Sequence, residues 1–330
     1  MTTTTNILPG GSGKRAGGRI GSWRGRLLTG DKIAHSITLV FAACVVLLGV
    51  LLVLQLWWQS SLAREKFGWQ FLISSAWNPV TEQFGALPFI YGTLVTSGVA
   101  LVIAVPLGLG AAIFLAELAP RTLSDIMAFV TELLAAIPSV IIGLIGIFVL
   151  VPVLRVYIDP ALQSAFGFLP IFAGPIYGVG LMAAGLVLAI MIVPFIITVS
   201  REILLAVPAD QREAALALGA TKWESTWKVV VPYARSGIIG SVFLALARAL
   251  GETMAVTMVI GNAPVISTSL FAPGNTIASV IANEFAEAMG TMNLQALIEL
   301  GLVLFAVTIA INALARLLVL ATTRKGSSHP

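Results

Sequence analysis

The sequence has few charged residues: Asp, Glu, Lys and Arg make up 10% of it, against roughly 25% in an ordinary soluble domain. It also has one cysteine, Cys44, and two histidines, His35 and His329. A lone cysteine excludes an intramolecular disulfide. The two histidines, one near the first apolar run and one at the C-terminus, provide no histidine-based catalytic or metal cluster. A disulfide-linked domain and a histidine-dependent membrane enzyme are therefore both disfavoured.

What the sequence does contain is long apolar runs. Hydrophobic residues make up 58% of the chain, and the mean hydropathy is +0.99. Runs of about 20 residues, the length that crosses a bilayer, recur six times. We place them at Ile33–Trp57, Phe89–Leu115, Leu133–Leu154, Tyr177–Val199, Gly237–Ile260 and Leu294–Leu320. The pattern predicts an all-α, multi-pass membrane protein. The first run exceeds the core of a signal peptide and lacks a cleavage site after it, so we expect it to be retained.

The basic residues are strongly sided relative to these runs. One side receives Lys14, Arg15, Arg19, Arg24, Arg26, Lys32, Arg121, Arg201, Arg212, Lys222, Lys228, Arg235, Arg316, Arg324 and Lys325. The other side receives Arg64, Lys66 and Arg155, and Arg248 lies inside a run. The positive-inside rule therefore predicts that both termini are cytoplasmic. The basic N-terminus is a topology signal in this context, so no nucleic-acid partner is expected.

The two termini differ in composition from the apolar body. Residues 1–30 are rich in Thr, Gly and basic residues, which predicts a disordered cytoplasmic tail. Residues 31–322 form the predicted membrane domain, and residues 323–330 a short cytoplasmic C-terminal tail. Within the first tail, Gly10–Lys14 has only part of a phosphate-binding loop, because Leu8 stands where the first glycine is required. The chain thus shows no motif for hydrolysing ATP itself.

A long polar connection, Arg201–Ser236, follows the fourth run on the predicted cytoplasmic side. Asp210 can cap a helix that begins after Pro208, with Glu213 three residues later closing a capping box. Gly219 then ends that helix, because glycine is the residue that most readily adopts a left-handed C-terminal conformation. The connection therefore begins with one short helix.

A second short helix follows in the same connection. Thr221 and Glu224 repeat the capping pattern, and we expect this helix to run to the residue before Pro232. Trp223 and Trp227 are four residues apart, so both indoles occupy one face. Such a pair either packs against the protein's own helix ends or serves as the anchor of an interface with a partner.

The same connection resembles a known family motif. Glu213-Ala214-Ala215, three residues, Gly219, nine residues and Val229-x-Val231-Pro232 are similar to the EAA loop of ABC importer permeases. This resemblance implies the six-helix, MetI-like fold of type I importers, with a cytoplasmic coupling helix that rests in a cleft of a separate ATP-binding subunit. We assign to ATPase coupling the residues Glu213, Ala214, Ala215, Gly219, Trp223, Trp227 and Pro232.

Two charges, Arg248 and Glu252, lie within the fifth apolar run. A charged side chain at mid-bilayer costs about 2.5–3.5 kcal/mol on insertion scales, so such a pair suggests a functional site. At a spacing of four residues the two share one helical face, where they form either a structural ion pair or part of a substrate pathway. In a pathway, the guanidinium would bind a tetrahedral oxyanion, and Glu252 would compete for Arg248 and promote release.

The segment around these charges, Arg248–Val256 (RALGETMAV), resembles PstC-type permease subunits of bacterial phosphate ABC importers. Three further segments agree: Leu87–Ser97, Glu132–Ser139 and Ala282–Ala288, the last of which we also expect to form a short outer helix. The resemblance covers the chain from about Leu27 to Leu320. It implies a subunit of the bacterial inner membrane that is not itself an enzyme.

The resemblance also implies partners. These are a PstA-type permease in a heterodimer, two copies of a cytoplasmic ATPase that binds ATP and Mg²⁺, an extracytoplasmic phosphate-binding protein, and phosphate as the substrate. No cofactor or metal is expected in this chain. Three alternatives stay open: a permease for another oxyanion such as sulfate or molybdate, the PstA-type sister subunit, and an ion-coupled secondary transporter.

Overall fold

The computed structural model describes residues 20–324 and, within them, the side chains of residues 33–317. The segment Gly10–Lys14, with the rest of residues 1–19, and the C-terminal residues 325–330 lie outside the described part. Residues 20–30 are helical, where we expected disorder. The physical reason is that a formed helix gains one hydrogen bond for each residue added, and no proline precedes the first span in this stretch.

Helices make up most of the described chain. In order they are α1 (Ile20–Gln59), α2 (Ser61–Phe67), α3 (Gln70–Ile73), α4 (Leu87–Ile113), α5 (Arg121–Ala135), α6 (Ser139–Ile145), α7 (Val151–Val153), α8 (Asp159–Phe166), α9 (Leu181–Leu205), α10 (Ala209–Ala217), α11 (Lys222–Ser225), α12 (Val231–Leu250), α13 (Met254–Val259), α14 (Ile277–Glu284) and α15 (Thr291–Arg324). A two-stranded antiparallel hairpin, β1 (Trp77–Asn78) and β2 (Gln83–Phe84), lies between α3 and α4. The chain forms two compact units, 1–55 and 56–330, and the packing described below concerns the second.

Six helical segments of the described chain are long and apolar enough to cross a membrane, as predicted. They are Ile33–Gln59, Leu87–Leu118, Ser139–Phe166, Leu181–Leu205, Lys222–Leu250 and Thr291–Leu317. The number of spans is confirmed. The bounds of the third and fifth differ most from those that we predicted, and the fourth begins four and ends six residues later, so Arg201 lies in α9 and not in the predicted connection. We refer to the side of the membrane at which residues 206–221 lie as the loop side.

Four π-helical turns explain most of that difference. They are Phe114–Leu118, Gly146–Leu150, Leu154–Ile158 and Thr226–Val230, and each ends two residues before a proline. Proline has no N–H, and its ring clashes with the carbonyl four residues earlier. In each π turn the residue before the proline donates its N–H to the carbonyl five residues back. At Pro152, Pro160 and Pro232, where the helix continues, the wider turn thus makes room for the proline ring; at Pro120 the helix ends instead, with Ala119 extended.

The third span begins later and ends later than predicted. Pro138 stands just outside α6, in an extended conformation, so the helix starts at Ser139 and not at Leu133. Two π turns then carry the helix past Pro152 to Phe166. The predicted run ended at Leu154, before the charged Arg155, whereas the helix continues past that residue.

The fifth span begins earlier and is interrupted. The helix does not stop before Pro232, as we predicted; it runs continuously from Lys222 through the π turn into α12. It ends at Leu250, and a new short helix, α13, starts at Met254. The predicted single helix Gly237–Ile260 is therefore two helices separated by three residues.

Helix α9 is the central span of the larger unit, and α4 packs along it. Two glycines allow this close approach: a Cβ at Gly108 would lie 2.7 Å from Cγ2 of Ile196, and one at Gly185 would lie 2.5 Å from Cγ1 of Val99. Small residues let apolar helices approach closely and gain dispersion energy where no hydrophobic driving force is available. The buried cluster around α9 also includes residues of α6, α12 and α13.

On the side opposite the loop, a second buried cluster joins the hairpin, α4, α14 and α15. The Trp77 indole donates to Oε2 of Glu284 at 2.9 Å and so fixes the hairpin to the end of α14. Burial raises the pKa of Glu284; the hydrogen bond from Trp77 offsets part of this rise, and the charge of Glu287 adds to it. The expected helix over Ala282–Ala288 is wrong in its bounds, because α14 ends at Glu284. Its start is fixed earlier, by a capping box at Thr276.

The segment that precedes α14 is braced against two spans. Its carbonyls at Leu270 and Ala272 accept hydrogen bonds from the first amides of α9 at 2.8 and 3.1 Å. Thr93 of α4 accepts from the N–H of Ile277 at 3.0 Å. The backbone of Asn275 passes directly over Gly92 of α4, where an added Cβ would lie 2.0 Å from its carbonyl oxygen.

This contact predicts a stability difference between two glycine substitutions in α4. Gly92→Ala places a methyl group against the backbone carbonyl of Asn275, and overpacking of this kind costs about 1–3 kcal/mol. Gly98→Ala is the matched control, because a Cβ there meets nothing within 4 Å. The control gains about 0.5–1 kcal/mol of helix stability. Unfolding midpoints in detergent should fall for the first variant and not for the second; equal midpoints would contradict the described contact.

Candidate functional site

The first predicted helix of the 201–236 connection is present as α10, but its cap differs from the prediction. The helix begins at Ala209, with Pro208 as the residue before it and no side-chain capping bond. Asp210 is thus already within the first turn, so the predicted box with Glu213 does not form. With Pro208 in place of Asp210 as the residue before the helix, α10 begins two residues earlier than the predicted cap would allow. Asp210 still lies near the positive end of the helix dipole.

The end of α10 is as predicted. Gly219 has a φ of +86°, a backbone conformation that residues other than glycine adopt only at a cost in free energy. The Gly219 N–H donates to the carbonyl of Leu216 at 2.9 Å, and that of Ala220 to the carbonyl of Ala215 at 3.2 Å. These bonds satisfy carbonyls that the helix leaves unpaired, and they turn the chain sharply toward α11.

The second capping box is confirmed. The hydroxyl of Thr221 accepts from the N–H of Glu224 at 3.2 Å, and the carboxylate of Glu224 accepts from the N–H of Thr221 at 3.0 Å. The helix that starts here carries Trp223 and Trp227 on one face, with ring centroids 5.5 Å apart in an edge-to-face pair. The two side chains are 56% and 46% exposed, so they contact each other and leave apolar surface open to a partner.

The other residues that we predicted to couple to an ATPase lie partly on the surface and partly in the interior. Glu213 and Ala214 are exposed, whereas Ala215 is buried beneath α10 and Pro232 is exposed on α12. Leu218, which we did not single out from the sequence, is 90% exposed beside Gly219. The signal that could have identified it is its position, because Leu218 is an apolar residue at the end of a short helix that lies outside the membrane core.

The prediction that Arg248 and Glu252 share one helical face is wrong, and the ion pair that we left open as one alternative is not formed in the part of the chain that the structure describes. Because α12 ends at Leu250, the two residues do not share one helix, and they form no ion pair within the described side chains. Oε1 of Glu252 instead accepts from the N–H of Ala255 at 3.3 Å and so caps α13. The Arg248 guanidinium lies 5.7 Å from the ring centroid of Phe195.

Arg248 is exposed on the surface of this subunit, within a membrane span. A guanidinium stays charged under all physiological conditions, and a charge facing lipid is costly. Its surroundings in the membrane must therefore be water, an anion or another polypeptide. The break at Gly251–Thr253 supports the same conclusion, because non-helical backbone at membrane depth is tolerated only within protein or beside a water-filled cavity.

Helix α13 is held in place by glycines of the third span. A Cβ at Gly143 would lie 2.7 Å from Sδ of Met258 and 3.0 Å from Cα of Ala255, and a Cβ at Gly146 would lie 2.9 Å from Cγ1 of Val259. The close contact fixes α13 against α6, and with it the break that separates Arg248 from Glu252. Glycine at both positions thus contributes to the site indirectly.

A groove of about 970 Å³ runs between α9, α12 and α15 toward the loop side. Its α12 wall consists of small and apolar residues that include Gly240, Leu244 and Ala247, the neighbour of Arg248. Its polar groups include Asn312 and Arg316 of α15. The face of α12 next to Arg248 is therefore open along much of its length.

The sequence of this chain is similar to those of known proteins. The sequence profile of the family described as binding-protein-dependent transport system inner membrane component matches residues 104–324. A protein of Mesorhizobium japonicum named phosphate transport system permease protein PstC is 51% identical over 87% of this chain and 89% of its own length. Proteins of the same name from Xylella fastidiosa and Pasteurella multocida are 48% and 51% identical, over 91% and 78% of this chain and 95% and 82% of their own lengths.

Two solved structures of the methionine ABC transporter MetNI in inward-facing conformations also align. Their TM-scores are 0.48 and 0.46 at 19% and 20% identity, over 69% and 70% of this chain and 93% of each solved chain.

The Gly219 turn predicts the effect of substitution on the connection. Gly219→Ala must adopt a positive φ at a cost of about 1–2 kcal/mol, although no atom lies within 4 Å of the new Cβ. Gly219→Asn is the control, since asparagine tolerates this conformation better. Hydrogen exchange of the amides in residues 209–225 should quicken roughly tenfold for alanine and less for asparagine. Equal exchange in both variants would contradict the strain that we infer from φ.

Proposed function

The chain belongs to the family of binding-protein-dependent transport system inner membrane components, and we propose that it is the PstC-type permease subunit of a phosphate ABC importer. It is a multi-pass protein of the inner membrane. The observation that carries the proposal for substrate is Arg248, a permanent positive charge exposed inside a broken membrane span. The relatives named for phosphate transport support the choice of anion.

Arg248 is the group that would bind phosphate in the membrane. Its planar guanidinium presents donors that match two oxygens of a tetrahedral oxyanion. Because Glu252 caps α13 in this structure, its carboxylate leaves the guanidinium open to an anion. If Glu252 turns toward Arg248 in another conformation, it would compete with phosphate and promote release, which conduction requires.

The connection after α9 is the proposed contact with the motor. This connection offers exposed side chains on α10, on α11 and on the turn that follows each of them. They are Glu213, Ala214, Leu218, Trp223 and Trp227. An ATPase cleft would cover the apolar rings, which are typical interface anchors. We propose that this ATPase is a homodimer that binds ATP and Mg²⁺, so that the present chain is non-catalytic and holds no cofactor of its own.

The remaining partners follow from the same proposal. A PstA-type permease would complete the pathway and cover the exposed face of Arg248. An extracytoplasmic phosphate-binding protein would dock on the side opposite the loop. The loop side would be cytoplasmic, with both chain termini on it, in accord with the excess of Lys and Arg there.

The proposal predicts the effect of removing the intramembrane charge. Arg248→Gln in the assembled transporter should lower phosphate uptake by about tenfold to a hundredfold, because a hydrogen bond to a charged group contributes about 1.5–3 kcal/mol. Arg248→Lys should retain part of the uptake, since it keeps the charge and loses the planar donor pair. Arg121→Gln, at an exposed arginine outside the spans, is the control.

The measurement is uptake of labelled phosphate into proteoliposomes that contain all subunits, with unlabelled phosphate or sulfate as competitor. Competition by phosphate alone supports the proposed substrate, and equal competition by sulfate contradicts it. Wild-type uptake by the Arg248→Gln complex would remove Arg248 from the pathway. Uptake by this chain alone, without ATP, would contradict an ABC importer.

A further inference from the structure

Arg212 of α10 joins three other segments of the chain through one guanidinium group. Its Nε lies 3.2 Å from both carboxylate oxygens of Glu117, and its Nη2 lies 2.8 Å from Oε1 of the same residue. Nη2 also donates to the carbonyl of Leu204 at 2.7 Å, and Nη1 to the carbonyl of Val207. All three guanidinium nitrogens are thus engaged.

These acceptors belong to different segments of the chain. Glu117 lies in the π turn that ends the second span, Leu204 in the last turn of α9, and Val207 in the linker to α10. The Glu117 side chain is 9% exposed and that of Arg212 is 23% exposed. An ion pair shielded in this way is stronger than an exposed one, and its paired bonds fix the direction of the contact as well as its length.

Arg212 is the polar attachment of a helix that otherwise faces outward. On α10 the side chains of Arg212 and Ala215 are turned inward, whereas the other residues of the helix are exposed. Ala215 offers a single methyl group, which can slide over its neighbours. The guanidinium cannot slide without losing charged hydrogen bonds. A displacement of α10 is therefore passed on to the atoms that Arg212 binds.

Beside the ion pair lies an apolar cluster that ties the same ends together. It contains Ala112 and Ile113 of α4, Leu204 and Val207, and residues from the start of α12. From there α4 runs along α9 to the opposite side of the membrane, where Gly92 and Thr93 brace the segment before α14. The second span is thus a continuous helical element between α10 and the far side.

We propose that Arg212 and Glu117 are positioning residues that transmit the movement of α10 to the second span. The inference rests on the proposed function, because it requires an ATPase that displaces α10. Neither residue touches the substrate or ATP. Their ion pair converts a displacement at the ATPase surface into a displacement of α4, so that hydrolysis and transport occur together.

The experiment measures phosphate transported per ATP hydrolysed in the complete complex, reconstituted in proteoliposomes with the binding protein. Glu117→Gln keeps the side-chain shape and removes the charge, and Arg212→Gln removes the other partner. Each should lower the ratio by about tenfold, within the range of allosteric couplings, while ATP hydrolysis by the assembled complex continues. Lys228→Gln is the matched control, because it removes an exposed ion pair within one helix of the same connection.

Two further variants separate coupling from structure. The double variant Arg212→Gln with Glu117→Gln should be no worse than Arg212→Gln alone, because that change already removes the interaction with Glu117. The exchanged pair, Arg212→Glu with Glu117→Arg, should recover part of the ratio. Two results would overturn the proposal. One is a fold-loss in the double variant equal to the product of the two single losses; the other is a wild-type ratio of phosphate to ATP in Glu117→Gln.

A second measurement follows the movement itself, in complexes purified with all subunits present. In a Cys44→Ser background, Leu118→Cys introduces one cysteine at the end of the second span. The Leu118 side chain is 37% exposed, so a labelling reagent can reach this position. Its labelling rate should change on ATP binding in the parent complex and stay constant after Glu117→Gln. An ATP-dependent change that survives this substitution would overturn the proposal. Phosphate uptake by the parent complex tests the proposed function separately.

Discussion

The structure depends on one constraint, which is that lipid offers no partner for a backbone N–H or carbonyl. Every such group within a span must be paired inside the protein. Prolines interrupt that pairing, and this chain accommodates several of them by widening the preceding turn. At Pro152, Pro160 and Pro232 the helix continues beyond the proline after a π turn. The long third and fifth spans exist because this device keeps the backbone paired through residues that usually end a helix.

The same constraint gives meaning to the one place where the fifth span stops. Gly251, Glu252 and Thr253 leave the helical conformation in the middle of an apolar sequence, beside the exposed Arg248. A carboxylate caps the helix that follows, so a side chain replaces part of the missing backbone pairing. A break and an exposed charge are each unfavourable against lipid, and both become tolerable beside a polar pathway. The two features therefore support the same conclusion independently.

Much of this architecture could be predicted from the sequence because it depends on local chemistry. Six apolar runs give six spans, Gly219 ends a helix, and Thr221 with Glu224 forms a capping box. What failed depends on geometry that residue types do not specify. The wider turns moved the bounds of two spans, and the break at Gly251 separated Arg248 from Glu252. Our prediction assumed ideal helices in both cases.

The contact of Arg212 with Glu117 illustrates a different limit. The two residues are 95 positions apart, and each alone resembles an ordinary charge at the membrane surface. Only the fold shows that a π turn directs Glu117 toward α10, while the last turn of α9 supplies a carbonyl to the same guanidinium. The π turn that ends the second span before Pro120 thus also places the carboxylate. Backbone pairing in the membrane and attachment of α10 are in this way consequences of the same local geometry.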